Sequence, residues 1–170
     1  MRKRPPCLVR IIFETFVNNF QKSFSPEENL TIDEMLSVFQ GRYQFRQYIP
    51  TKPNKYGIKL YNLVDATMFY TVKLEIYAGQ RPQSPFCFST KPNDVMMRMV
   101  EHLFGFGRNI TADNWFTSFD LVDKLKNKKL SYVGTVRKNE KQLLIAFINF
   151  KGRKAKTTMF GFNNYKVLVS

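Results

Sequence analysis

Gly107-Arg108-Asn109-Ile110-Thr111-Ala112-Asp113-Asn114-Trp115-Phe116-Thr117-Ser118 decides how the rest of the chain is laid out. Asn109 to Ala112 reads as a short core strand that runs into a carboxylate, Asp113. A turn follows, then a helix, Ser118 to Lys126. Thr117 or Ser118 can cap that helix, and Asp120 lies three residues after Thr117, the spacing of a capping box. An acid at the C-terminal lip of a core strand stands where ligands of open α/β sheets gather. The same acid also suits a plain turn, in which Asp accepts from backbone amides.

Upstream of this stretch, Asp94 to Phe104 has helical spacing. Asp94 is the expected cap, Val95, Met96, Met99, Val100 and Leu103 face inward, and Gly105 or Gly107 stops it. His102 falls off that stripe and reads as a solvated helix residue. Lys55 to Thr67 is a strand, with Lys59, Tyr61, Leu63 and Asp65 on one face. Asp65 is an acid inside the otherwise apolar run Leu60 to Met68, and burying a carboxylate is costly unless it is paired or binds a metal. Tyr70 to Tyr77 is the hairpin partner of that strand. A ragged third strand is expected at Phe86-Cys87-Phe88.

Nearer the N-terminus, Met1 to Pro6 is a basic tail and Leu8 to Ser23 a helix with Ile12, Phe13, Phe16, Val17 and Phe20 as its apolar stripe. Thr31-Ile32-Asp33-Glu34 has capping-box spacing and predicts a short helix with Met35, Leu36 and Phe39 inward. Asp33 and Glu34 are thereby assigned to the positive end of a helix dipole rather than to catalysis. Gly41 to Pro53 reads as a loop in which basic and aromatic residues alternate, a pattern suited to phosphate contact and base stacking or to packing on the core. Downstream, strands are expected at Leu130 to Val136, Leu143 to Phe150, Thr157 to Phe162 and Lys166 to Val169. The order predicts an α/β fold, a mixed sheet with helices on both faces.

Composition narrows the function. Net charge is +14, and residues 121–170 hold twelve Lys and Arg against two acids. Such a block predicts a polyanion partner, nucleic acid first. The expected contacts are Arg42, Arg46, Lys52, Lys55, Lys124, Lys126, Lys128, Lys129, Arg137, Lys138, Lys151, Arg153, Lys154 and Lys156, with salt-sensitive, largely sequence-independent DNA association. A membrane partner is not expected, because the lysines do not alternate with an apolar helical face. Cys7, Cys87 and the single His102 are too few for a conventional zinc site and point to an intracellular protein with free thiols.

Five colinear stretches resemble the piggyBac transposase family: Asn29 to Glu34, Tyr48 to Lys59, Arg108 to Ser118, Gly134 to Asn139 and Thr158 to Gly161. The resemblance spans about residues 11 to 170. It implies a ribonuclease H-like catalytic core with three metal-binding aspartates, of which Asp65 matches the first and Asp113 the second. It implies Mg²⁺ or Mn²⁺ as cofactor, transposon-end DNA as partner, TTAA as target, a possible homodimer, and work in the nucleus. Residues 1–10 are then a tail, 11–140 a partial core and 141–170 the start of a β-rich insertion that precedes the third aspartate. With that aspartate and the family's cysteine-rich end reader outside the chain, little or no cleavage by the chain alone is expected. A domesticated, non-enzymatic DNA-binding or protein-interaction module is the alternative. Where the family often has Gly, this chain has Phe69, a bulky residue in a turn that asks for positive φ. The sharpest structural expectation is that Asp65 and Asp113 lie on adjacent strands with their carboxylates close together.

Overall fold

The expected capped helix is instead the central strand of the sheet. In the computed structural model, which describes residues 8–42, 46–77, 79, 89–149, 151–154 and 156–170, Asn29–Val38 is strand β1. Leu30 and Ile32 are buried, while Asn29 and Asp33 are exposed. That is the period of two that a half-buried strand requires. The capping-box spacing of Thr31 and Glu34 is overridden because β1 finds ladder partners on both sides, and tertiary pairing outweighs local propensity.

Five further strands complete this sheet. They are β2 (Arg46–Tyr48), β3 (Tyr56–Asp65), β4 (Thr71–Ile76), β5 (Asn109–Ala112) and β6 (Ser131–Gly134). The order is β2-β3-β1-β5-β6, with β4 also on β3. β1 pairs antiparallel with β3, from Leu30↔Asp65 to Val38↔Gly57. It pairs parallel with β5, from Asn29↔Asn109 to Ile32↔Ala112. β5 in turn pairs parallel with β6. The Gly41 to Pro53 segment therefore contributes an edge strand where only a loop was expected.

Helix α1 (Leu8–Ser23) has the expected bounds and packs against β4. Of its stripe, Val17 is buried, whereas Ile12 and Phe16 are exposed. Helices α2 (Pro92–Val100) and α3 (Phe119–Asn127) cover the core face of the sheet. Val95, Met96, Met99, Val100, Leu121 and Leu125 meet Leu30, Ile32, Leu63 and Ile110 there, all at or near zero exposure. Asp94 does not cap α2. Lys91 holds the cap position, Pro92 starts the helix, and Asp94 stands in the first turn and accepts from Ser89 Oγ. A 3₁₀ turn, Glu101–Leu103, ends the helical run, with Gly105 and Gly107 at positive φ behind it.

His102 is not the solvated residue expected. Both ring nitrogens are buried, and neither finds a hydrogen-bond partner among the described residues. Burial, then the nearby Lys73, push its pKa down to about 4. Lys73 donates to the Arg98 carbonyl, and Arg98 forms a two-pronged pair with Glu75, which ties α2 to β4.

The chain divides into two compact units between Thr135 and Val136. In the second, α4 (Ile145–Ile148) replaces the strand expected at Leu143 to Phe150, since a short apolar run without alternation fits either state. The expected strands at Thr157 to Phe162 and Lys166 to Val169 form a hairpin, β7 (Phe160–Asn163) and β8 (Lys166–Val169). The tail Met1 to Pro6, Cys7, Tyr43, Phe45, the residues Phe86-Cys87-Phe88 for which a strand is expected, and Phe150 lie outside the described residues. Among the described residues no helix is long and apolar enough to cross a membrane.

Phe69 has φ +53° and is 83% exposed, so it carries left-handed strain and packs against little. Replacing it with Gly removes the Cβ penalty, partly offset by the freer unfolded chain. Phe69→Gly is expected to stabilise the first unit by about 0.5–1 kcal/mol, read as a higher urea midpoint. A lowered midpoint contradicts this account of the turn.

Candidate functional site

The parallel register of β1 and β5 brings two acids together. One step beyond the Ile32↔Ala112 pair come Asp33 on β1 and Asp113 just past β5. Neighbouring strands are roughly 4.8 Å apart, so this step sets the two residues side by side. Asp33 is exposed, on the face shared with Thr31 and away from the core, and Asp113 is exposed too. Asp33 Oδ1 accepts from the Glu34 amide at 2.7 Å. Asp113 Oδ1 accepts from the Trp115 amide at 2.9 Å. The second oxygen of each takes no hydrogen bond among the described residues. Two hard oxygens held this way fit a Mg²⁺ or Mn²⁺ ion, which prefers one or two carboxylates and keeps several waters. Among the described residues no group of three or more potential ligands gathers.

The turn after Asp113 is anchored from below. Phe116 is 1% exposed, and Trp115 stacks on Tyr61 at 5.5 Å between ring centres. Thr117 Oγ1 donates to the Asp113 carbonyl at 2.7 Å and meets Tyr132 Oη at 2.8 Å. Ser118, rather than Thr117, caps α3, accepting from the Leu121 amide. Asp120 does not close a capping box; it pairs with Lys124 and accepts from Asn93. Gly134 is the partner of Ala112, and a Cβ there would lie 2.6 Å from Thr117 Oγ1 and 2.8 Å from the Tyr132 ring. The close approach that holds Asp113 in place thus requires glycine. Burial raises the Tyr132 pKa, with Asp113 adding to the rise and the Thr117 hydrogen bond opposing it.

Asp65 and Asp113 are not on adjacent strands, contrary to the sequence expectation. β1 lies between β3 and β5. Asp65 is opposite Leu30, three residues back from Asp33, hence roughly 10 Å away along the strand and on the other face. It is fully buried. Its carboxylate accepts from the amides of Glu27 at 2.7 Å, Thr67 at 2.9 Å and Met68 at 2.8 Å. Burial alone raises its pKa, yet these three amides, helped by Arg108, hold it below the ordinary value. Its charge is thus satisfied by backbone, and it locks the β3–β4 turn to the start of β1. The signal that Asp33 offered was the alternation Leu30-Thr31-Ile32-Asp33, which the capping-box spacing masked.

The basic residues are dispersed. Lys52 lines an open cavity of about 410 Å³ with Thr31, Asp33, Asn54, Asn62 and Val64. Arg42, Arg46 and Lys55 lie toward the C-terminal end of β1, and Arg46 stacks on Tyr56 at 4.9 Å. Lys124 and Lys126 are on α3, which leads away from Asp113. Lys128 and Lys129 lie at the far end, where Ser131 pairs with Asn109. Arg137, Lys138, Lys151, Arg153, Lys154 and Lys156 belong to the second unit.

Comparison with known proteins identifies the family. The family model described as Transposase IS4 matches residues 3–168. The chain is also similar to piggyBac transposase in a cryo-EM structure of its synaptic complex with hairpin DNA. Identity is 37%, the TM-score is 0.86, and the match covers 95% of this chain. It covers 34% of that transposase chain, so this chain spans about a third of its length.

Removing the Asp65 carboxylate tests its structural role. Asp65→Ala strands three amides and is expected to cost about 2–3 kcal/mol of stability. A depressed folded pKa means that the stabilisation is complete above the ordinary value of 3.8 and is lost as pH falls through the lower folded value. Acid unfolding below about pH 4 is therefore expected to be shallower in Asp65→Asn than in the wild type. Unchanged stability and an unchanged acid limb contradict the assignment.

Proposed function

The chain belongs to the Transposase IS4 family and is a transposase-derived domain of the piggyBac type, and from that premise we propose that it binds DNA together with a divalent cation held by Asp33 and Asp113. The fold is the ribonuclease H-like mixed sheet of that family. Transposases of this family use divalent metal in general. The observation that supports the reading is the β1–β5 register, whose last pair, Ile32↔Ala112, is followed on each chain segment by an exposed aspartate. The pair proposed here is not the one drawn from the sequence. Asp65 is replaced by Asp33, because Asp65 is buried and already holds three amides.

Each residue has a defined task in this proposal. The Glu34 and Trp115 amides orient the carboxylates, and Phe116, Thr117 and Gly134 hold the Asp113 turn still. Lys52, in the cavity beside Asp33, meets a phosphate, and Arg42, Arg46 and Lys55 extend that contact along the same end of the sheet. Arg46 over Tyr56 adds a stacking surface. A bound Mg²⁺ or Mn²⁺ would supply activation of an attacking oxygen and charge stabilisation on the leaving one. Two carboxylates hold one ion, and a two-ion clamp needs further ligands, so cleavage by this chain alone is expected to be slow. The resemblance extends the proposal to transposon-end DNA as substrate, TTAA as target, a homodimer as working form and the nucleus as its location. A non-enzymatic DNA-binding module is the second reading, favoured by the lack of any three-ligand group among the described residues.

The test combines metal, DNA and nicking. Asp33→Asn and Asp113→Asn are expected to abolish Mn²⁺ binding in calorimetry, whereas Asp65→Asn retains it in the folded fraction. DNA affinity is expected to fall linearly with salt on logarithmic axes, by roughly 0.9 per phosphate contacted, and Lys52→Ala reduces that slope. Slow Mn²⁺-dependent nicking of a supercoiled plasmid, lost in both site variants, supports the enzyme-derived reading. Metal binding without nicking favours the module. Mn²⁺ binding that survives both site substitutions overturns the proposed pair.

A further inference from the structure

Lys59 lies on β3, on the core face, and its ammonium is enclosed. It forms an ion pair with Glu34, with side-chain exposures of 15% and 28%. It also sits over three rings, 5.1 Å from Trp115, 5.4 Å from Tyr61 and 5.5 Å from Tyr77. A cation over several aromatic faces is held both by charge and by the ring quadrupoles, more strongly where water is excluded.

The two arms of this cluster are the residues that orient the proposed ligands. The Glu34 amide donates to Asp33, and the Glu34 side chain pairs with Lys59. The Trp115 amide donates to Asp113, and the Trp115 ring covers Lys59. Asp33 belongs to the strand and Asp113 to the loop beyond β5, and the β1–β5 ladder ends one residue short of them. A single ammonium on a third strand therefore grips both residues whose backbone aims the carboxylates. Glu34 and Lys59 are diagonal neighbours across the antiparallel β1–β3 pair, a spacing long side chains bridge.

We propose that Lys59 is a positioning residue: through Glu34 and Trp115 it fixes the spacing of Asp33 and Asp113 and so sets their affinity for a divalent cation. This rests on the proposed Asp33–Asp113 pair. Groups that orient metal ligands without touching the ion commonly change affinity by roughly 10- to 100-fold when removed. The chain has a built-in reporter of the same contact, because Trp115 is its one tryptophan.

The experiment measures Mn²⁺ affinity of the purified chain from the loss of the free-ion paramagnetic resonance signal, alongside Trp115 emission and thermal melting. Lys59→Met is expected to weaken Mn²⁺ binding roughly tenfold or more and to shift Trp115 emission to the red. Lys59→Arg, which keeps the charge and the ring contact, restores both. If Lys59→Met fails to fold because Glu34 is left without its cation, the double variant Glu34→Gln/Lys59→Met removes both charges, and it is expected to fold and still bind weakly. Wild-type Mn²⁺ affinity in the folded Lys59→Met or double variant overturns the inference, whatever happens to the melting temperature. Lost affinity in Asp33→Asn and Asp113→Asn with unchanged affinity in Lys59→Met removes this inference alone. Mn²⁺ binding that persists in the two Asp variants, or no binding by the wild type, removes the pair and the inference together.

Discussion

Everything in the first unit depends on β1 being paired on both sides, antiparallel to β3 and parallel to β5. A parallel ladder fixes which residue ends beside which, because one step of slippage turns every side chain to the other face. Leu30, Ile32, Ile110 and Ala112 all have to reach the core, and that demand excludes every one-residue slip of this register. In the register that forms, Asp33 and Asp113 each follow the last buried pair, Ile32 and Ala112. The site is therefore stabilised by the hydrophobic core rather than by any interaction between two like charges, which repel until a cation or a proton separates them.

Two polar clusters, one buried and one half-buried, border this arrangement and do different work. Asp65 closes the far end, where three backbone amides hold its charge and the β3–β4 turn is pinned to the chain entering β1. Lys59 with Glu34 and three aromatic rings closes the near end, beside the surface acids. The cost of burying a charge is met in one case by amides and in the other by an ion pair and ring faces. The basic residues follow no such plan. Those near Asp33 come from the β1–β3 connection, and the densest run, after residue 120, falls on the far end of α3 and in the second unit.

The sequence made α1, α3, the β3–β4 hairpin and the strand before Asp113 legible because each carries a clean period and a stop signal. Asp113 was found for the same reason, as an acid directly after a strand. Asp33 was missed because Thr31 and Glu34 have capping spacing, and because a strand with mixed polar and apolar residues shows its character only once partners appear on both sides. Asp65 was overread. A lone acid in an apolar run says that something must satisfy the charge, but local sequence cannot say whether it is a cation or the amides of Glu27, Thr67 and Met68. His102 was misplaced because it falls in the 3₁₀ turn after α2, where the α-helical period no longer tells which side chains are buried.

The central claim is the adjacency of residues 33 and 113, and a disulfide reads adjacency directly, since it forms only when the Cα atoms lie roughly 4.4–6.8 Å apart. With Cys7 and Cys87 replaced by Ser, Asp33→Cys/Asp113→Cys is predicted to form an intramolecular disulfide under mild oxidation, seen as a mass loss of two hydrogens and a faster gel mobility. Asp65→Cys/Asp113→Cys is predicted to remain two free thiols under the same conditions. A disulfide in the second pair and none in the first would contradict the register on which the whole account stands.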